Sequence, residues 1–132
     1  MKPLHTNTYK QIGYLFYAVA AVDKNVAEAE VETLKKLVKQ HWLPLDETND
    51  IYGSDAAHQI EIVFDWLNDN EQAAKACYNK FEDYYKTHNS VFTAPVKKLI
   101  LDTAEAIANS FSGKNKSELM LLAKLSVLFK EH

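Results

Sequence analysis

Tyr14 to Val38 reads YLFYAVAAVDKNVAEAEVETLKKLV, and this stretch decides the fold class. Up to Val22 it carries no charge and is apolar or aromatic on every side of a helical projection. Beyond Asp23-Lys24-Asn25 the pattern turns one-sided, with Val31, Leu34, Leu37 and Val38 facing inward and Glu28, Glu32, Lys35, Lys36 and Lys39 outward. A helix that is apolar all round belongs in an interior, whereas an amphipathic one covers it. The stretch therefore predicts a central helix, an acidic turn, and a second helix packed against the structure that the first one organises.

Toward the N-terminus, the first helix is expected to begin after Thr6 or Asn7, either of which can cap free amides, and to carry Ile12, Leu15, Phe16 and Val19 inward to about Val22. Lys2 and Lys10 before an apolar run, with Ala18-Val19-Ala20, resemble a secretory leader. Gly13, two tyrosines and direct continuation into a helical pattern favour a helix instead. Toward the C-terminus, Pro44 is expected to close the second helix, and LDETNDIYG to form the long connector. A third helix capped by Ser54 places Ile60, Val63, Phe64 and Leu67 inward. Asp69 and Gln72 have capping-box spacing for a fourth helix running to about His88, with Cys77, Phe81, Tyr84 and Tyr85 on one side. Thr93 and Pro95 start a fifth, with Val96, Leu99, Ile100, Thr103 and Ile107 on one side. The last, Leu119 to Phe129, is apolar on nearly every face, which suits a central or interface position.

The expectation is an all-α fold, a compact bundle of about six helices forming a single domain over 1–132. Three glycines and three prolines leave little material for the turns of an all-β fold, and 132 residues with 47% hydrophobic content suffice for a core. The net charge of -3 gives no general attraction to nucleic acid or anionic lipid. No apolar run reaches the length of a membrane span. The single cysteine, Cys77, lies on the apolar side of its helix and reads as a core residue, in keeping with a cytoplasmic location. A shift of 88 residues lays Ala18, Ala20, Glu30, Leu34, Lys36 and Leu37 onto Ala106, Ala108, Glu118, Leu122, Lys124 and Leu125. This echo reads either as shared helical periodicity or as two pseudo-repeated helix pairs.

Ala20-Ala21-Val22-Asp23, followed seven residues later by Glu30, resembles the tellurite-resistance TerB-like family, with its alanine-rich helix end, acidic turn and early glutamate. The segment from Ala106 to Leu125 resembles that family's second copy, and together the two cover about a third of the chain. This sequence has Lys24 where the family has glycine, Ala27 where it has a capping Ser or Thr, and Phe111 where the second copy has Asp. The resemblance implies a stress-associated, non-catalytic binding or scaffold module with a protein partner or self-association, and a divalent cation such as Ca²⁺ or Mg²⁺ at Asp23 and Glu30. Two such carboxylates can converge on a hard cation. They equally suit an ordinary helix junction, in which Glu30 complements the helix dipole and Asp23 accepts local amides.

Other chemistry is sparse. Asp46, Thr48 and Asp50 alternate as in a calcium loop, but Ile51 and Ala57 occupy positions where an EF-hand needs Gly and Glu. His58, Glu61 and Asp65 share a stripe opposite Ile60, Phe64 and Leu67, without the further ligands of a bundle metal centre. Cys77 has no identifiable histidine partner, and no phosphate-binding glycine loop is present. Trp42 and Trp66 read as core residues. The alternatives to a binding module are a small metal-dependent hydrolase using the acidic turn with His58 or His41, and a purely protein-binding bundle that exposes an apolar patch on its last helix.

Overall fold

In the computed structural model, residues 6–22, 26–46, 56–110 and 116–131 are described. The helices are α1 (Thr6–Ala21), α2 (Glu28–Leu37), α3 (Leu43–Asp46), α4 (Gln59–Asp69), α5 (Ala74–Thr87), α6 (Ala94–Asn109) and α7 (Lys116–Glu131). A π-helical segment, Val38–Trp42, joins α2 to the short α3, so these form one continuous helical body and the bundle has six among the described residues. No strand occurs among the described residues, and the all-α bundle expected from the apolar periodicity is the fold.

α1 is the central element, because 12 of its 16 residues are buried. It packs against α4, α5, α6 and α7. Its contact with α4 is close enough that a Cβ on Gly13 would lie 2.9 Å from the Ile60 carbonyl oxygen and 3.1 Å from Val63 Cβ. Glycine is thus what lets the two backbones approach. The polar groups of α1 are used as hooks. Thr8 Oγ1 and the Tyr84 hydroxyl lie 2.7 Å apart in a hydrogen bond that ties α1 to α5. Tyr17 donates to the Gln72 carbonyl at 2.7 Å and ties it to the α4–α5 turn.

Pro44 does not end the second helical body. The Leu43 amide reaches back to the Val38 carbonyl, the wider π spacing, and Pro44 falls in the first turn of α3, where its missing N–H is tolerated. The π segment turns Trp42 fully inward. Its ring meets Tyr9 and Phe16 edge-on at 6.4 and 6.0 Å, and its Nε1 donates to Thr103 Oγ1 of α6 at 3.2 Å. A second aromatic cluster unites Phe81 and Tyr85 of α5 with Phe92 and Phe129.

Three local expectations are corrected. Asp69 is the last residue of α4, and the N-cap of α5 is Ala73, so the pair Asp69 and Gln72 forms no capping box. Trp66 is 57% exposed, on the outer face of α4 next to Ile62. Of the central or interface position expected for α7, the central one does not hold, since Leu119, Met120 and Val127 face outward while Leu125, Leu128 and Phe129 are buried. The proposed cap Ser54, the residues Thr48 and Asp50, and Phe111 lie outside the described residues.

The internal echo coincides with equivalent placement at several positions. Glu30 and Glu118 are each the third residue of their helix, and both are buried. Val19 and Ile107 are both buried, as are Ala20 and Ala108. α2 packs on α6, the first helix of the other pair, whereas α7 packs on its own partner α6 as well as on α1, so the cross-packing is not symmetrical. Leu34 is buried where Leu122 is only half-buried, and there the correspondence loosens.

Candidate functional site

Of the two residues expected at a cation, Asp23 lies outside the described residues. Glu30 sits at the third position of α2, and its Oε1 accepts the Ala27 amide at 2.8 Å. Ala27 offers no side-chain oxygen in return, so the carboxylate supplies the polar half of the cap by itself. Among the described residues, no three His, Cys, Asp or Glu side chains are grouped to hold a metal. His58 Nδ1 lies 3.9 Å from Glu61 Oε1, and Asp65 turns instead to Lys35 across 3.5 Å. Cys77 is buried, and desolvation pushes its thiol upward more than Lys80 draws it down. It is therefore protonated at neutral pH and a poor nucleophile.

Among the described residues, a cleft of about 740 Å³ with the dimensions of a ligand site lies at the C-terminal end of α1. That is within the range of small-molecule pockets. Its apolar walls come from Ala21 and Val22 at the end of α1, Val26 before α2, Ala73 and Ala74 at the start of α5, and Leu121 of α7. Tyr17 and Tyr78 supply aromatic surface, and Glu71, Lys75 and Lys124 supply charge. Val22 and Val26 are the described residues on either side of positions 23–25 in the sequence, and both line the cleft.

The α4–α5 turn shapes the cleft. The Gln72 amide donates to the Leu67 carbonyl and the Glu71 amide to the Asn68 carbonyl, both at 3.2 Å. This paired pattern is a Schellman motif, whose left-handed position is ordinarily filled by glycine. Here Glu71 fills it at φ 48°, alone among the described non-glycine residues in having a positive φ. A glutamate there costs about 1 kcal/mol relative to glycine. The strain places a carboxylate at the edge of the cleft, and Glu71 contributes, after burial and Cys77, to raising the Tyr17 phenol.

Tyr78, another lining residue, is 2% exposed, and its hydroxyl is buried without a hydrogen-bond partner among the described residues. Burial, and then Glu82, push its phenol well above the ordinary range. Lys124 Nζ lies 4.8 Å from the centre of the Tyr78 ring, a cation–π contact that brings the α7 ammonium to the cleft. Neither Lys75 nor Lys124 forms an ion pair among the described residues. The sequence reading missed this site because its lining converges from five segments, and Glu71 carries no local signal of a left-handed backbone.

No helix among the described residues is long and apolar enough to cross a membrane. In comparisons with protein families, curated proteins and solved structures, the chain matches none.

Proposed function

We propose that this protein is a cytoplasmic, non-catalytic binding module, stress-associated like the TerB-like domains that its sequence resembles, and that the cleft at the end of α1 is where it binds. The observation that carries the reading is the cleft itself, with apolar walls, the Tyr78 ring and a strained glutamate at one place. Strain of this kind persists where surrounding structure enforces it, and it concentrates at sites of function. Among the described residues, the charged groups lining the cleft are Glu71, Lys75 and Lys124, a mixed set that suits recognition of a ligand.

The test is an amide NMR screen of the protein against a small-fragment library, repeated on Leu121→Trp, which places bulk in the cleft. Fragments that shift amides of the α4–α5 turn and the start of α5 in the wild type, and fail to do so in the folded variant, support the reading. A library without a cleft binder overturns it.

A divalent cation at Asp23 and Glu30 is a separate part of the proposal, supported by the family-like spacing and by the buried position of Glu30. Calorimetric titration of metal-free protein with Ca²⁺, Mg²⁺, Mn²⁺ and Zn²⁺, alongside Asp23→Asn, tests it. Heat that disappears in the variant supports the cation, and heat indifferent to the substitution removes it.

A further inference from the structure

Among the described residues, the large apolar side chains that stand exposed belong to two helices. Ile62 and Trp66 lie on the outer face of α4, and Leu119, Met120 and Val127 on the outer face of α7, each between 48% and 64% exposed. Four-residue spacing makes Ile62 and Trp66 neighbours. Met120, the exposed Ala123 and Val127 follow one another along α7 at three- and four-residue steps. Each of these helices thus buries one apolar stripe in the bundle and turns a second one outward, which the bundle's own core does not require.

The two faces are opposite in charge. Residues 40–74, which include α4, hold eight Asp or Glu and no Lys or Arg. Beside Ile62 and Trp66 these are Glu61, Asp65 and the exposed Asp69, and Lys35 of α2 sets one cation against them, 3.5 Å from Asp65. Residues 106–132, which include α7, hold four Lys against Glu118 and Glu131, and Glu118 is buried. Lys124 and Lys130 are exposed on α7, and Lys97 of α6 brings another ammonium to its end, where it donates to the Phe129 carbonyl at 3.3 Å.

We infer that the two faces are the halves of one interface between copies of this chain, the α4 face of one copy docking on the α7 face of a second. Apolar surface then meets apolar surface, and an acidic rim meets a basic one. Pairing like with like would set Asp65 and Asp69, or Lys124 and Lys130, against their own copies. Trp66 and Met120 are of the types enriched in interface cores, and a thioether against an aromatic ring is a favourable contact. The contact joins unlike surfaces, so it adds further copies unless its rotation closes a ring. With five large apolar side chains at its centre it is small, and a Kd of about 100 μM is expected. It does not rest on the cleft being a binding site.

Sedimentation velocity from about 10 μM to 1 mM tests the interface, on the wild type, Ile62→Ser/Trp66→Ser and Met120→Ser/Val127→Ser. The wild type is expected to associate as its concentration rises, and less so in added salt. Each variant alone is expected to stay monomeric. An equimolar mixture of the two is expected to form a heterodimer and nothing larger, because each supplies the face that the other lacks. Asp69→Lys, which touches no apolar residue, is expected to weaken wild-type association about threefold. Association that persists in one variant but not the other means like-on-like pairing and overturns the inference. A mixture that stays monomeric, association that survives in both variants, or association indifferent to salt and to Asp69→Lys also overturns it. A wild type that is monomeric throughout removes the second copy as the occupant of these faces. The substituted residues are exposed, and circular dichroism of each variant establishes that the fold is retained.

Discussion

The hydroxyl of Tyr17 donates a 2.7 Å hydrogen bond to the carbonyl of Gln72, joining the most buried helix of the bundle to the turn that carries its one described positive-φ residue. The cleft lies along this joint. Removing the hydroxyl in Tyr17→Phe leaves the ring in place but strips the carbonyl of its donor. Stability is expected to fall by about 1 kcal/mol, measured by urea unfolding. Amides from Asn70 to Ala73 are expected to exchange faster, because the turn loses its anchor to α1.

Glu71→Gly removes the left-handed strain at the same turn. The variant is expected to gain about 0.5 kcal/mol in stability, since relief of the backbone is offset in part by the entropy of glycine in the unfolded chain. A gain in stability with a change in ligand preference would identify Glu71 as a residue held at a cost for binding. A β-branched Glu71→Val is expected to lose stability, because it suits φ 48° less than glutamate does.

Gly13→Ala tests the contact between α1 and α4. Alanine is the better helix former, but its Cβ would lie 2.9 Å from a backbone oxygen of Ile60, which cannot rotate aside. Overpacking outweighs propensity here, and a net loss of about 1 kcal/mol is expected. Unchanged or increased stability would show that α4 shifts freely.

The two tryptophans report opposite environments. In Trp66→Phe the remaining indole is Trp42, buried and bonded to Thr103, and its emission is expected to be blue-shifted and shielded from iodide. In Trp42→Phe the remaining indole is Trp66, 57% exposed, and iodide is expected to quench it. The same pair shows what could be read from the chain. Periodicity revealed the central α1 and the inward faces of the other helices, because each apolar stripe is a local property of its segment. It treated both tryptophans alike, since a π turn after Leu37 rotates Trp42 inward and no residue type announces that turn. Pro44 read as a helix end for the same reason, and Asp69 matched a capping spacing that the Schellman turn overrides. The cleft was illegible because Val22, Glu71, Lys75 and Lys124 come together only in the folded chain.

Alkaline pH is expected to destabilise the protein. Burial raises Cys77, Tyr17 and Tyr78 above their ordinary values, so the folded state holds these protons more tightly than the unfolded chain. The stabilisation they give is complete below the unfolded values, of which the lowest is the thiol at 9.0. It is lost as pH rises through the folded values. Urea midpoints are expected to be flat in this respect up to about pH 8.5 and to fall above it, with a shallower decline in Cys77→Ala/Tyr78→Phe.

The most direct measurement is the location of bound small fragments by amide chemical-shift mapping of the full chain. The account predicts shifts concentrated at Glu71 to Tyr78 and around Lys124, the residues that frame the start of α5 and its facing wall. Shifts centred on the exposed pair Ile62 and Trp66, or on Met120 and Val127 of the outer α7 face, would contradict it and assign binding to the bundle's apolar exterior.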